Sequence, residues 1–228
     1  GLNMFIERDL DSEMRRARNR PIPSGRVSPQ HALIFSNAIF SVGFLELALF
    51  VGWLPALLSL FTMLVYAFIY TPMKRSGPLA IAIGAIPGAI PPVMGWAAVR
   101  GEVGAGGLAL FAILFLWQFP HFLALAWMYR DDYARAGFRF IPQSERMTGT
   151  AIAVGCVLLI SSTLVPVALH LAGLVYGIGA LVTGLAFLYP CVLAAQSLTA
   201  NRAQTTFIAS VTYLPLLLAL MLLDRVVH

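Results

Sequence analysis

The chain has 228 residues, 59% of them hydrophobic and only 11% charged, with a mean hydropathy of +0.83, whereas a soluble domain carries about a quarter of its residues as charges. That composition excludes a water-soluble enzyme and identifies an integral membrane protein. The net charge of +5 calls for no nucleic-acid partner, because basic residues bordering a lipid bilayer with anionic headgroups account for it.

The first polar element occupies residues 3–26. On a helix, Asn3, Glu7 and Asp11 stand at i, i+4 and i+8, so one amide and two carboxylates share a stripe. These are hard oxygen donors of the kind Mg²⁺ takes, usually together with substrate phosphates. Asp9 sits about 200° around the axis from Glu7, as a further ligand or facing away. The run Met14-Arg-Arg16-Ala-Arg-Asn-Arg20-Pro21 follows, and guanidinium groups such as Arg16 and Arg20 bind phosphate oxygens bidentately. Ligand-type acids first and arginines after read as a metal–diphosphate site at a membrane surface. A charge-balanced loop is the plain alternative. The chain opens with Gly1-Leu2 directly on this stripe, and the expectation is an upstream helix or two.

Seven apolar stretches near the bilayer-crossing length follow, at 31–52, 54–71, 78–99, 105–129, 150–171, 173–195 and 205–223. All are expected to be helices, since no alternating strand pattern is present and lipid admits only helices or closed barrels. The second ends in Tyr66-xxx-Tyr70-xxx-Lys74. Lys74 could reach a phosphate, with Tyr70 a turn deeper; an interfacial aromatic belt with a snorkelling lysine is the alternative. The third contains Gly84, Pro87, Gly88, Pro91 and Pro92 and is expected to kink or break, lining a cavity, unless the glycines serve close packing. In the fourth, Pro120 precedes His121, which lies about 13 Å deeper than Arg130 at about 1.5 Å per residue. An ionisable group at that depth is a functional candidate, the alternative being a neutral histidine bonded to a carbonyl freed by Pro120. A second acidic cluster, Arg130-Asp131-Asp132-Tyr-Ala-Arg135, follows, either facing the first or pairing internally. Cys156 and Cys191 lie in apolar helices with no pairing pattern and read as packing residues. Glu46 lies near the outer end of its helix and carries no assigned role. Of the 15 Lys and Arg, all but Arg100 and Arg225 fall on one side of the seven spans. The positive-inside rule makes that side cytoplasmic, with both acidic clusters and Lys74 on it.

Together these segments resemble the UbiA-type intramembrane prenyltransferases and, within that superfamily, the heme O synthase branch. The superfamily's Asn and two acids at four-residue intervals are similar to Asn3, Glu7 and Asp11. Its Met-x-Arg-Thr-x-x-Arg-Pro loop is similar to Met14-Arg-Arg16-Ala17-Arg-Asn-Arg20-Pro21, and its tyrosine–lysine motif to Tyr70-Thr-Pro-Met-Lys74. The branch-type segments are residues 84–96, Trp117-Gln-Phe-Pro-His121-Phe and Asp131-Asp-Tyr-Ala-Arg-Ala-Gly137. Three departures stand out. Glu7 replaces the usual Asp, Ala17 replaces the loop Thr, and the second cluster lacks Asp-xxx-Asp, which leaves Asp131 against Asp132 open as the ligand.

The resemblance implies an all-α polytopic helix bundle, nine helices in the intact fold, with one membrane domain over 1–228 that lacks the first helix and most of the second. It implies transfer of a farnesyl group from farnesyl diphosphate to a vinyl group of protoheme IX, with water addition, giving heme O and diphosphate. Mg²⁺ would be held by Asn3, Glu7, Asp11 and Asp131 or Asp132, and the diphosphate by Arg16, Arg20 and Lys74. Tyr70, Lys74 and Asp11 would serve catalysis, while His121 would position the porphyrin or its iron. The implied setting is the bacterial cytoplasmic (inner) membrane, multi-pass, with the mouth cytoplasmic and possible association with terminal-oxidase assembly or heme A synthesis proteins. Two rivals are a prenyltransferase of this superfamily acting on an aromatic acceptor, and a polytopic transporter. The branch-type segments argue against the first. The gathering of both acidic clusters and Lys74 at one surface argues against the second.

Overall fold

A computed structural model describes residues 1–15, 17–138 and 144–227, and every regular element among them is helical. In chain order these are α1 (Leu2–Ile6), α2 (Arg8–Glu13), α3 (Pro29–Glu46) running into a π-helical turn at Leu47–Val51, α4 (Trp53–Leu64) running into a second π-helical turn at Val65–Tyr70, α5 (Thr71–Met73), α6 (Leu79–Arg100), α7 (Gly104–Met128), α8 (Arg130–Arg135), α9 (Glu145–Thr163), α10 (Val165–Ala168), α11 (Leu174–Gln196) and α12 (Ala200–Val227). Seven spans are long and apolar enough to cross a membrane: Pro29–Val51, Trp53–Met73, Leu79–Arg100, Gly104–Met128, Glu145–Ala168, Leu174–Gln196 and Ala200–Asp224. They coincide with the seven apolar stretches, with ends displaced by up to several residues because polar caps lie outside the apolar window. Ser28, for example, accepts from the His31 N–H and starts α3, and Ser144 does the same for α9 through Met147.

Of the kink or break expected in the third span, the break does not occur. Helix α6 is continuous from Leu79 to Arg100 through Pro87, Pro91 and Pro92, and α7 is continuous through Pro120. Each proline removes only one backbone donor, and in an apolar surrounding the rest of the ladder has no water to turn to, so the helix persists around the defect. The irregular backbone appears elsewhere, in the π-helical turns, one of which carries Tyr66 and Tyr70.

Two compact units make up the chain: Gly1–Glu102 with Tyr129–Phe140, and Val103–Met128 with Ile141–His228. In the first, α4 and its π-helical extension pack on α6, and α1 packs on α3. In the second, α7, α9, α11 and α12 pack against one another. Small residues such as Ala56, Ala80, Ala85, Ala124 and Ala180 are buried, while large ones such as Phe50, Trp53, Leu174 and Leu222 face outward. In lipid that order is favourable, because the bilayer solvates large apolar side chains and close backbone approach supplies the packing. At Gly149 a Cβ would fall 2.5 Å from the Ala194 carbonyl oxygen, so α9 and α11 can meet only with glycine there. The buried Asp224 accepts from the Gly173 N–H and thereby caps the start of α11.

Candidate active site

The acidic stripe is built on α1 and α2, which meet at Glu7. Although Glu7 leaves helical geometry, its N–H still bonds to the Asn3 carbonyl at 2.9 Å and the Asp11 N–H to the Glu7 carbonyl at 2.8 Å. The three residues therefore remain one turn apart on one side, with Glu7 4% and Asp11 2% exposed. Buried carboxylates need counter-charge, and each has it. Lys74 Nζ lies 2.9 Å from Glu7 Oε1 and donates to Oε2 at 3.0 Å. Arg20 Nη1 donates to both Asp11 oxygens, at 3.0 and 2.8 Å.

Lys74 reaches Glu7 across 67 positions of sequence because the π-helical turn before it sets Tyr70 and Thr71 against the stripe. The Thr71 hydroxyl lies 2.8 Å from the Tyr66 carbonyl and 3.2 Å from Asn3 Oδ1, tying Asn3 to the end of the second span. Lys74 Nζ sits 4.8 Å from the Tyr70 ring centre and 6.0 Å from that of Phe138, within range for attraction to both ring faces. Tyr70 in turn packs 5.3 Å from Tyr66 and against Gly84, where a Cβ would overlap the phenol ring. The glycine of the third span is thus what lets the tyrosine occupy this place. Gly84→Ala is expected to displace the ring and lower turnover by about 10-fold or more, on the sensitivity of catalysis to misplacements near 1 Å; steady-state kinetics in membranes would measure it.

The second cluster divides in two. Asp132 is 8% exposed, bonded to the Arg135 guanidinium and accepting from the Arg15 backbone N–H at 3.3 Å; it therefore anchors the segment that follows the acidic stripe. The Asp131 side chain is 85% exposed and, among the described residues, reaches only Arg130, at 3.6 Å. Asp9 is similarly turned outward, 87% exposed beside Arg8. Of the two adjacent aspartates the fold buries Asp132, against the segment that follows the stripe, and leaves Asp131 exposed. Asp131→Asn is accordingly expected to change activity less than about twofold, and Asp132→Asn to lower it by about 10-fold or more, since only the latter removes a buried, charge-assisted contact; parallel turnover assays would separate them. Arg16 lies outside the described residues.

His121 belongs to the second unit. Its Nδ1 is 2.8 Å from Ser210 Oγ, and its ring stacks on Trp117 at 4.5 Å. Among the described residues the alternative, a bond to a carbonyl freed by Pro120, is not formed; a serine on α12 takes that place. Sequence reasoning did not single out Thr71, Arg15, Phe138 or Ser210. Thr71 and Arg15 lie within singled-out motifs and Phe138 directly follows one, but Ser210 carried no signal in an apolar stretch.

The donor set suits a divalent cation completed by phosphate. Among the described residues nothing hydrogen-bonds the buried Glu7 Oε1 beyond its ionic contact with Lys74, an oxygen of the hard type that such a cation takes. Among the described residues no three His, Cys, Asp or Glu side chains come together to enclose an ion by themselves, so substrate oxygens would have to share the coordination.

Fold and cluster together define a polytopic, all-helical membrane enzyme with an acid–base site on one unit. The family model described as "UbiA prenyltransferase family" matches residues 1–221, and the chain belongs to that family. Members generally use a divalent metal to bind diphosphate. The chain is 48% identical to a protoheme IX farnesyltransferase of Solibacter usitatus, over 98% of this chain and 78% of that protein. It is 43% identical to one of Anaeromyxobacter dehalogenans, over 98% and 77%, and 41% identical to one of Myxococcus xanthus, over 99% and 78%. A solved structure of digeranylgeranylglyceryl phosphate synthase superposes with a TM-score of 0.80 at 17% identity, covering 98% of this chain and 78% of that one, a likeness of fold.

Proposed function

We propose that this chain transfers the farnesyl group of farnesyl diphosphate to a vinyl group of protoheme IX, with addition of water, releasing heme O and diphosphate. The observation that carries the donor half is the meeting of Glu7 with Lys74, two buried opposite charges brought together from distant parts of the chain. The acceptor half rests on the protoheme IX farnesyltransferases to which the chain is 41–48% identical over nearly its whole length.

Breaking the carbon–oxygen bond leaves an allylic cation and an anionic diphosphate, so rate acceleration comes chiefly from stabilising the leaving group. Asn3, Glu7, Asp11 and Asp132 are the residues proposed to hold Mg²⁺, which supplies Lewis-acid charge to the phosphate oxygens. Lys74 and Arg20 are paired with two of those carboxylates. When the carboxylates turn to a cation, the same ammonium and guanidinium are positioned to donate to phosphate oxygens, and the charges of the site remain balanced. Tyr70, with its ring under Lys74, is placed to shield the allylic cation by its π face. His121 is the residue proposed to meet the porphyrin. With Lys and Arg concentrated on one side of the spans, the setting is the cytoplasmic membrane of a bacterium, site facing the cytoplasm, and association with terminal-oxidase assembly or heme A synthesis proteins would follow from the product.

The test is extraction of membranes that express the protein in a host lacking this activity. Hydroxyethylfarnesyl heme, identified by mass, should accumulate; heme B alone would refute the proposal.

A further inference from the structure

Within the second unit, Ser210 is fully buried on α12 and makes three directed contacts. Its hydroxyl donates to the Phe207 carbonyl at 2.6 Å, its own carbonyl accepts from Trp117 Nε1–H at 2.9 Å, and its Oγ meets His121 Nδ1 at 2.8 Å. Trp117 stacks on the imidazole at an interplanar angle of 22°, while Phe207 and Phe122 close on it with ring centres at 4.9 and 5.1 Å. One residue therefore fixes the histidine and also the indole that clamps it.

A serine hydroxyl has a single hydrogen. With that hydrogen given to Phe207, Oγ faces the imidazole as an acceptor, so the ring proton of neutral His121 sits on Nδ1 and the lone pair on Nε2. Among the described residues no group hydrogen-bonds Nε2. An imidazole whose Nδ1–H is anchored and whose Nε2 is open is the form that donates to a metal, and the anchoring acceptor raises its basicity.

We propose that Ser210 is a positioning residue that holds His121 as its Nδ1–H tautomer, so that Nε2 ligates the iron of the porphyrin acceptor. This rests on the reading above that the acceptor is heme. The experiment titrates the intact, detergent-solubilised protein with ferric protoporphyrin IX and, separately, with metal-free protoporphyrin IX, following the Soret band. Ser210→Ala should weaken ferric heme binding by about 10- to 100-fold while leaving the metal-free porphyrin within about twofold, on the usual effect of removing the partner of a metal-bound histidine. His121→Ala should abolish the preference for the iron porphyrin and shift the Soret band, and Ser210→Thr, which keeps the hydroxyl, should restore it. Equal loss for both porphyrins in Ser210→Ala would overturn the proposal in favour of simple packing, as would an unchanged Soret band in His121→Ala. If the wild type bound neither porphyrin, the heme reading itself would fall, a result distinct from failure of the serine alone.

Discussion

Asp11→Asn is expected to lower the rate of farnesyl transfer by about 10²- to 10³-fold, the usual effect of removing a group that stabilises developing charge, and to raise the Mg²⁺ concentration needed for half-maximal rate. Asp11 is almost wholly buried and holds Arg20 through both oxygens. An amide keeps the shape and one acceptor but loses the charge on which a divalent cation depends. The fold should tolerate the change, because Arg20 is partly exposed and can turn its charge to water. A Mg²⁺ titration of turnover in membranes checks both quantities. Wild-type rates and Mg²⁺ dependence in this variant would remove Asp11 from the metal site.

Lys74→Met should cost a similar 10²- to 10³-fold in activity by loss of a donor to the leaving group, and here stability suffers as well. Glu7 would be left buried without its cation, a situation that costs about 3–5 kcal/mol in typical proteins. The double variant Lys74→Met with Glu7→Gln separates the two effects. Removing both charges should recover most of the lost thermal stability, while turnover stays as low as in the single variant. Melting temperature and single-turnover rate, measured on the same detergent preparations, test this. A double variant that regained activity along with stability would show that the pair serves the fold alone.

These two residues also mark how far the site could be read in advance. The four-residue spacing of Asn3, Glu7 and Asp11 places them on one side of a helix, and hydrogen bonding through Glu7 preserves that side even where the helix is interrupted. The pairing of Lys74 with Glu7 was not readable, because it depends on a π-helical turn and on Gly84 leaving room for Tyr70. Nor does spacing show which of Asp131 and Asp132 is buried; adjacent residues on a short helix point in different directions, and Asp132 is the one that accepts from the Arg15 N–H.

The sequence by itself determined the number and place of the membrane spans and the chemical types available to the site, because hydropathy over about 20 residues and the helical repeat are local properties. It also carried the motifs that mark the family. Tertiary structure alone decided which cation meets which carboxylate, which aspartate is buried, and that the proline-bearing helices remain continuous. It alone placed Ser210 beside His121, two residues separated by 89 positions. Those outcomes come from packing between distant segments, where a fraction of an ångström decides whether a buried charge finds its partner, and no local pattern in the chain encodes that distance.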